Sequence, residues 1–326
     1  MGVTDGEPRV IAILNQKGGV GKTTSTVNLG AAMASMGQRV CLLDLDPQGH
    51  LTLHLGIDEG DVDVSIYDLL IDPDAKASTA VHHPRENLDV ILSDTDLAGA
   101  ELELANLPAH DRNDILKRKF KEIAGNYDIV LIDCPPSLGL LTINAMAMAH
   151  EVIVPMQAHF LALQGVGKLL RTVSLVSQGI NPDLKVSGVI LCMHEPHTTL
   201  AKEVEGDLRE FFEAAREQDV PWNRCRVLDP PIRRNIKLAE APSFGNTIFD
   251  YDPTCHGAKA YRTLASNITT RWTGESEPRD GAEENHDDAN EGAPPPPSIE
   301  VIAAPPESPK TTHPASDTAR EPIDAN

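Results

Sequence analysis

The chain has 326 residues, 40% of them hydrophobic, enough for one large α/β domain or two smaller ones. A formal net charge of −21 argues against a protein coated in nucleic-acid-binding surface and leaves room only for a local basic patch. No apolar run is long enough to span a bilayer and the first ten residues lack a signal peptide's apolar region, so a soluble, cytoplasmic protein is expected.

Short apolar runs alternate with segments of helical period, the pattern of a mostly parallel sheet covered by helices. Six runs read as strands: RVIAILN (9–15), RVCLLDLD (39–46), LDVILS (88–93), YDIVLID (127–133), EVIVPM (151–156) and KVSGVILCM (185–193). Ligands of open α/β sheets sit outside the carboxyl ends of strands, so the chemistry is expected in the loops that follow these runs. The five cysteines form no C-x-x-C pair and mostly lie in apolar runs, which reads as buried, reduced thiols. Residues 1–272 are expected to form the domain. Residues 273–326 hold 13 acidic and 3 basic residues among many prolines, a composition expected to stay disordered.

The stretch NQKGGVGKTT (15–24) nearly spells the phosphate-loop spacing G-x-x-x-x-G-K-[ST], but Gln16 stands where the first glycine belongs and Lys17 stands beside it. Gly18, Gly19 and Gly21, with Val20 among them, let the backbone curl so that several N–H groups face one anion. The helix expected from Thr23 and Thr24 to a stop at Gly37 aims its positive end at the same point. Lys22 would then reach β- and γ-phosphates and the Thr23 hydroxyl would ligate Mg²⁺. Asp44 and Asp46 close the second run and Asp133 closes the fourth, in the manner of a Walker B aspartate. One aspartate at a strand end is commonly a cap; three converging on a phosphate loop point to a magnesium ion that keeps waters between itself and the carboxylates.

Together KGGVGKTT, DLDPQG (44–49), DCPPSLG (133–139) and LAEAPSFGNTIFDYDP (238–253) resemble the ParA/Soj family of partition ATPases, within the deviant Walker A group that includes the MinD-type ATPases. DLAGAELELA (96–105) is more particular to the ParA/Soj branch, and the resemblance runs from about residue 9 to about residue 268. It implies a P-loop NTPase-like fold, ATP and Mg²⁺ as ligands, and slow, partner-stimulated ATP hydrolysis. It further implies a homodimer in the ATP state, with Lys17 reaching the partner's phosphates as an arginine finger would. Asp46 matches the residue that positions the attacking water, Asp44 and Asp133 match acids that hold Mg²⁺ through water, and 135–137 match the γ-phosphate-sensing loop.

Family members bind DNA non-specifically and work with a ParB-type centromere-binding protein, on the nucleoid when ATP-bound. Here Arg224, Arg226, Arg233, Arg234 and Lys237 are the expected DNA contacts; a solvated face paired with Asp229 and Glu240 is the alternative. His197 stands where many relatives have an arginine, which makes DNA affinity weaker or pH-dependent. The few residues before the first strand are too short for a helix-turn-helix domain. The acidic end replaces the basic amphipathic helix of a membrane-bound MinD-like protein, so no membrane partner is expected. The other open reading is a positioning ATPase that recruits a protein cargo and barely touches DNA.

Overall fold

Strands made of Val, Ile, Leu and Cys leave no exposed position in β2 (Val40–Asp44) or β5 (Ile129–Asp133), as a sheet covered on both faces requires. The computed structural model describes residues 7–273 apart from 59, 61, 160 and 161; the acidic segment expected to be disordered lies, beyond Thr273, outside the described residues. The other strands are β1 (Arg9–Ile13), β3 (Val81–Arg85), β4 (Leu88–Ile91), β6 (Glu151–Met156), β7 (Lys185–His194) and β8 (Val227–Arg233). Their order is β3-β4-β2-β5-β1-β6-β7-β8, and every pairing is parallel except β3 with β4. The expected fold class, a P-loop NTPase-like α/β domain with helices on both faces, is the one observed.

Strand alternation splits the core in two. Val10 and Ala12 face the layer that holds Leu97, Leu141, Val166 and Val204, whereas Ile11 and Ile13 face the layer of Val27, Leu51, Leu238 and Leu264. In the second layer the helix Lys22–Ser35 lies close on the sheet: a Cβ at Gly30 would come within 2.6 Å of Leu42 Cδ2. The helix His256–Thr273 covers it from outside, with Tyr261 fully buried and its hydroxyl 3.1 Å from Ser25 Oγ.

Two strands escape the sequence reading. β3 (VHHPR) is half-exposed and polar, and β8 (VLDPPIR) carries two prolines, which fit an edge strand where ladder donors are not needed. Four of the five cysteines are buried and Cys255 is half-buried. Among the described residues, no helix is long and apolar enough to cross a membrane.

Candidate functional site

β1 ends at Ile13, and the loop 14–21 carries the chain to Lys22, the first residue of the helix Lys22–Ser35. Gly21 caps that helix at φ 95°, with no side-chain acceptor on the first N–H groups. Those donors are left for a ligand. An L side chain at Gly21 would be strained and would also meet Cys192 Sγ at 3.2 Å. The two lysines of the loop are placed oppositely: Lys22 is 6% exposed, whereas Lys17 stands on the outer rim.

Asp44 and Asp133 are register partners at the carboxyl ends of β2 and β5, beside Ile13 of β1. Both are fully buried, and Asp46 is 7% exposed two residues on. Thr23 Oγ1 donates to Asp133 Oδ2 at 2.6 Å, and Thr26 Oγ1 reaches Asp133 Oδ1 at 3.4 Å. Asp44 accepts from the Asp46 N–H at 3.1 Å and from both the N–H and hydroxyl of Thr52 at 3.2 Å. Asp46 accepts from the Gln48 N–H at 3.1 Å. Burial pushes Asp133 up to about 7 against the pull of Thr23 and Lys22, and burial beside Asp133 pushes Asp44 well above the ordinary carboxylate range. Carboxylates gathered this way call for a cation. Among the described residues, no three His, Cys, Asp or Glu side chains are grouped to chelate one directly. The donor set, one hydroxyl with carboxylates one shell away, instead fits magnesium bound partly by water and phosphate.

Sequence reasoning did not foresee what grips the loop from outside. Asn15 Nδ2 donates to the Pro155 carbonyl at 2.7 Å, Gln157 Nε2 donates to the Gly19 carbonyl at 3.1 Å, and Lys17 Nζ lies 2.6 Å from His159 Nε2. All three partners sit at or just after the end of β6. Their only sequence signal is that β6 is the other strand beside β1, a pairing that no local pattern reveals. On the far side of the helix, Asn28 takes the Thr24 carbonyl and accepts from the Ile248 N–H at 2.8 Å, so the 238–253 motif latches the phosphate-loop helix.

The basic cluster does not come together as one patch. Arg233 ends β8, and Arg234 and Lys237 follow it, at the carboxyl end of the sheet on the side of the phosphate loop, whereas Arg224 and Arg226 precede the strand. Most of the seven-residue strand, roughly 20 Å, lies between the two groups. Arg234 pairs with Glu195 at 3.1 Å, and Lys237 pairs with Glu240 at 3.1 Å over the ring of Tyr251. His197 is exposed, one residue before Thr198, which caps the helix Thr199–Ala214.

The sequence matches the AAA domain family over residues 8–186. It is 45% identical over 264 residues to the sporulation initiation inhibitor protein Soj of Bacillus subtilis strain 168, covering 80% of this chain and 98% of that protein. The chain belongs to the ParA/Soj family of partition ATPases. The chromosome partitioning protein ParA of Caulobacter vibrioides NA1000 is 42% identical over 265 residues, 81% of this chain and 94% of that one. Among solved structures, a cobyrinic acid a,c-diamide synthase from Mycobacterium smegmatis with bound ADP and magnesium is 39% identical, with a TM-score of 0.67 over 82% of this chain and 96% of that one. The cell division ATPase MinD of Pyrococcus furiosus is 26% identical, with a TM-score of 0.62 over 81% and 99%.

Proposed function

We propose that the chain is an ATP-hydrolysing switch that pairs with a second copy when it holds Mg·ATP, binds DNA non-specifically in that state, and segregates DNA with a ParB-type partner that stimulates turnover. The observation that carries this reading is the opposite placement of the two lysines, Lys22 buried under the loop and Lys17 on its rim. Backbone N–H groups of 18–24 and Lys22 would hold the phosphates. Thr23 would ligate Mg²⁺ directly, while Asp44 and Asp133 would hold it through water; a bound ion would supply positive charge to the phosphates. Asp46, held by the Gln48 N–H, would orient the attacking water, whose oxygen bonds to the γ-phosphorus as the bond to the ADP oxygen breaks. Lys17 of one copy would face the phosphates of the other, adding charge where the transferring phosphoryl group develops it.

A second reading has an observation of its own. Arg234 and Lys237 are already paired with acids, and the remaining arginines of the cluster are divided between the two ends of β8. A positioning ATPase with a protein cargo needs no more positive surface than that. DNA titrations with Mg·ATP, with ADP and without nucleotide, across a salt series, decide between them. Binding confined to the ATP state with a steep salt slope supports partition, and absence of DNA binding in all three states leaves the cargo reading.

A further inference from the structure

Glu101 stands on the helix Leu97–Ala105, and its carboxylate rests on Gly139, where a Cβ would come within 2.6 Å of Oε2 and closer still to Oε1. Gly139 is the N-cap of the nine-residue helix Leu140–Met148, whose first turn has no side-chain acceptor and no acidic residue of its own. The N–H groups of 140–142 precede the first intrahelical bond, from the Ile143 N–H to the Gly139 carbonyl, and so lack partners within the helix. Glu101 Oε1 is buried and, among the described residues, accepts from no donor. An unmet acceptor and unmet donors thus lie together at Gly139, the two halves of a helix cap. The acceptor's side is fixed: Leu97, Ala100 and Leu104 are buried in the core, and Tyr67 Oη donates to Glu103 Oε1 at 2.9 Å. The donors' side is tied to the site acids. Five residues, Cys134 to Leu138, join Gly139 to Asp133, and Thr142 Oγ1 donates to the Ser137 carbonyl at 2.7 Å, so the end of this loop and the first turn of the helix move together.

We propose that Glu101 is a positioning residue for the loop 134–139: its carboxylate completes the cap of the helix Leu140–Met148 when Asp133 takes hold of magnesium through water. The inference rests on the reading that Mg·ATP is held by Thr23 and, through water, by Asp133. Asp133 Oδ2 already accepts from Thr23 at 2.6 Å, whereas Oδ1 has only the 3.4 Å contact with Thr26 and is the oxygen that can take a new donor. Asp133 is the last residue of β5, so turning it moves the start of the loop, and the loop carries the first turn of the helix onto Glu101. A carboxylate is favoured at a helix N-terminus, and its hydrogen bonds to N–H groups are of the stronger, charge-assisted kind. Glu101 touches neither nucleotide nor ion; it acts through the loop, and its contribution belongs to the magnesium-bound state alone.

The test uses the full chain, its affinity for a fluorescent ATP analogue measured with Mg²⁺ and with EDTA. In the wild type Mg²⁺ should tighten binding and raise the hydrogen-exchange protection of the 140–142 amides. Glu101→Ala should bind about tenfold more weakly with Mg²⁺, the size of one hydrogen bond to a charged group. It should match the wild type in EDTA and gain no protection at 140–142. Glu101→Gln, which keeps an acceptor without the charge, should recover part of both the affinity and the protection. Without nucleotide, both variants should unfold at the same urea concentration as the wild type, because the cap they remove is unmade in the structure. Equal weakening with and without Mg²⁺, or a lower urea midpoint in Glu101→Ala, would make Glu101 a brace of the fold and overturn the proposal. If Mg²⁺ does not tighten binding in the wild type, the magnesium reading itself fails. If Mg²⁺ tightens the wild type and Glu101→Ala alike, only the role of Glu101 falls.

Discussion

Asp44 and Asp133 stand side by side at the ends of neighbouring strands, two buried carboxylates whose nearest buried cation is Lys22. Such a pair opposes folding until a cation arrives, a strain of the kind that binding sites retain. Asp133→Asn removes one charge, and the Thr23 hydroxyl can rotate to accept from the new amide. The ligand-free variant should be more stable by about 1 kcal/mol in urea unfolding, and Mg²⁺-dependent ATP hydrolysis should fall about tenfold or more. A variant less stable than the wild type would show that the pair is not strained.

The two lysines should separate in mutants. Lys22→Ala, which removes a buried ammonium from beneath the loop, should lose binding of a fluorescent ATP analogue. Lys17→Ala should keep binding yet lose pairing and turnover. Equal loss of nucleotide in both variants would end the division of labour.

Asp46 is braced by Gln48 and takes no part in the Thr23–Asp133 hydrogen bond. Asp46→Ala should therefore leave magnesium in place and abolish orientation of water, trapping an ATP-bound dimer. Sizing chromatography in Mg·ATP checks the trap, and a phosphate-release assay should show a loss of about a hundredfold. Hydrolysis at the wild-type rate would remove Asp46 from the mechanism.

The division of the basic cluster by β8 predicts unequal contributions. Arg233→Glu with Arg234→Glu should weaken ATP-dependent DNA binding and lower its salt slope by about one to two units, roughly one per lost phosphate contact. Arg224→Glu, at the far end of the strand, should change either quantity less. Equal losses would mean that DNA spans both ends of β8.

His54, on the helix His50–His54, is 2% exposed with Nε2 unpartnered. Burial, with Arg85 nearby, lowers its pKa to about 4. Because the native value lies below the unfolded one, the unfolded chain takes up the proton first as pH falls. Stability is complete above about pH 6.5 and declines towards pH 4, by about 3 kcal/mol for this group. His54→Asn should flatten that part of the stability–pH curve in denaturant titrations; an unchanged slope would assign it to other histidines.

Much of this was legible in the sequence. Six strands announce themselves because a strand buried on both faces needs an unbroken apolar run, and the site acids announce themselves because they close such runs. β3 and β8 do not, since edge strands tolerate the histidines and prolines that otherwise argue against a strand. The loop, Lys22 and the glycines could be read from spacing, whereas a role for Lys17 came only with the family resemblance. The bracing of Asp44 by Thr52, the latch of Asn28 on Ile248 and the grip of Gln157 and His159 on the phosphate loop could not, because each joins residues that only tertiary packing brings together. The division of the basic cluster was not legible for the converse reason: neighbours in sequence are drawn apart by the strand between them.

The central place of β1 also bears on how the protein is made. The phosphate loop, residues 14–21, is synthesised more than a hundred residues ahead of the strands that flank β1, 129–133 and 151–156. At synthesis rates of about 5–20 residues per second, roughly 7 to 30 seconds pass before both neighbours exist. During that interval the nascent chain carries every residue of its phosphate loop but lacks at least one of the two strands that flank β1. Nucleotide can begin to stabilise the fold only after the chain has been translated through Met156.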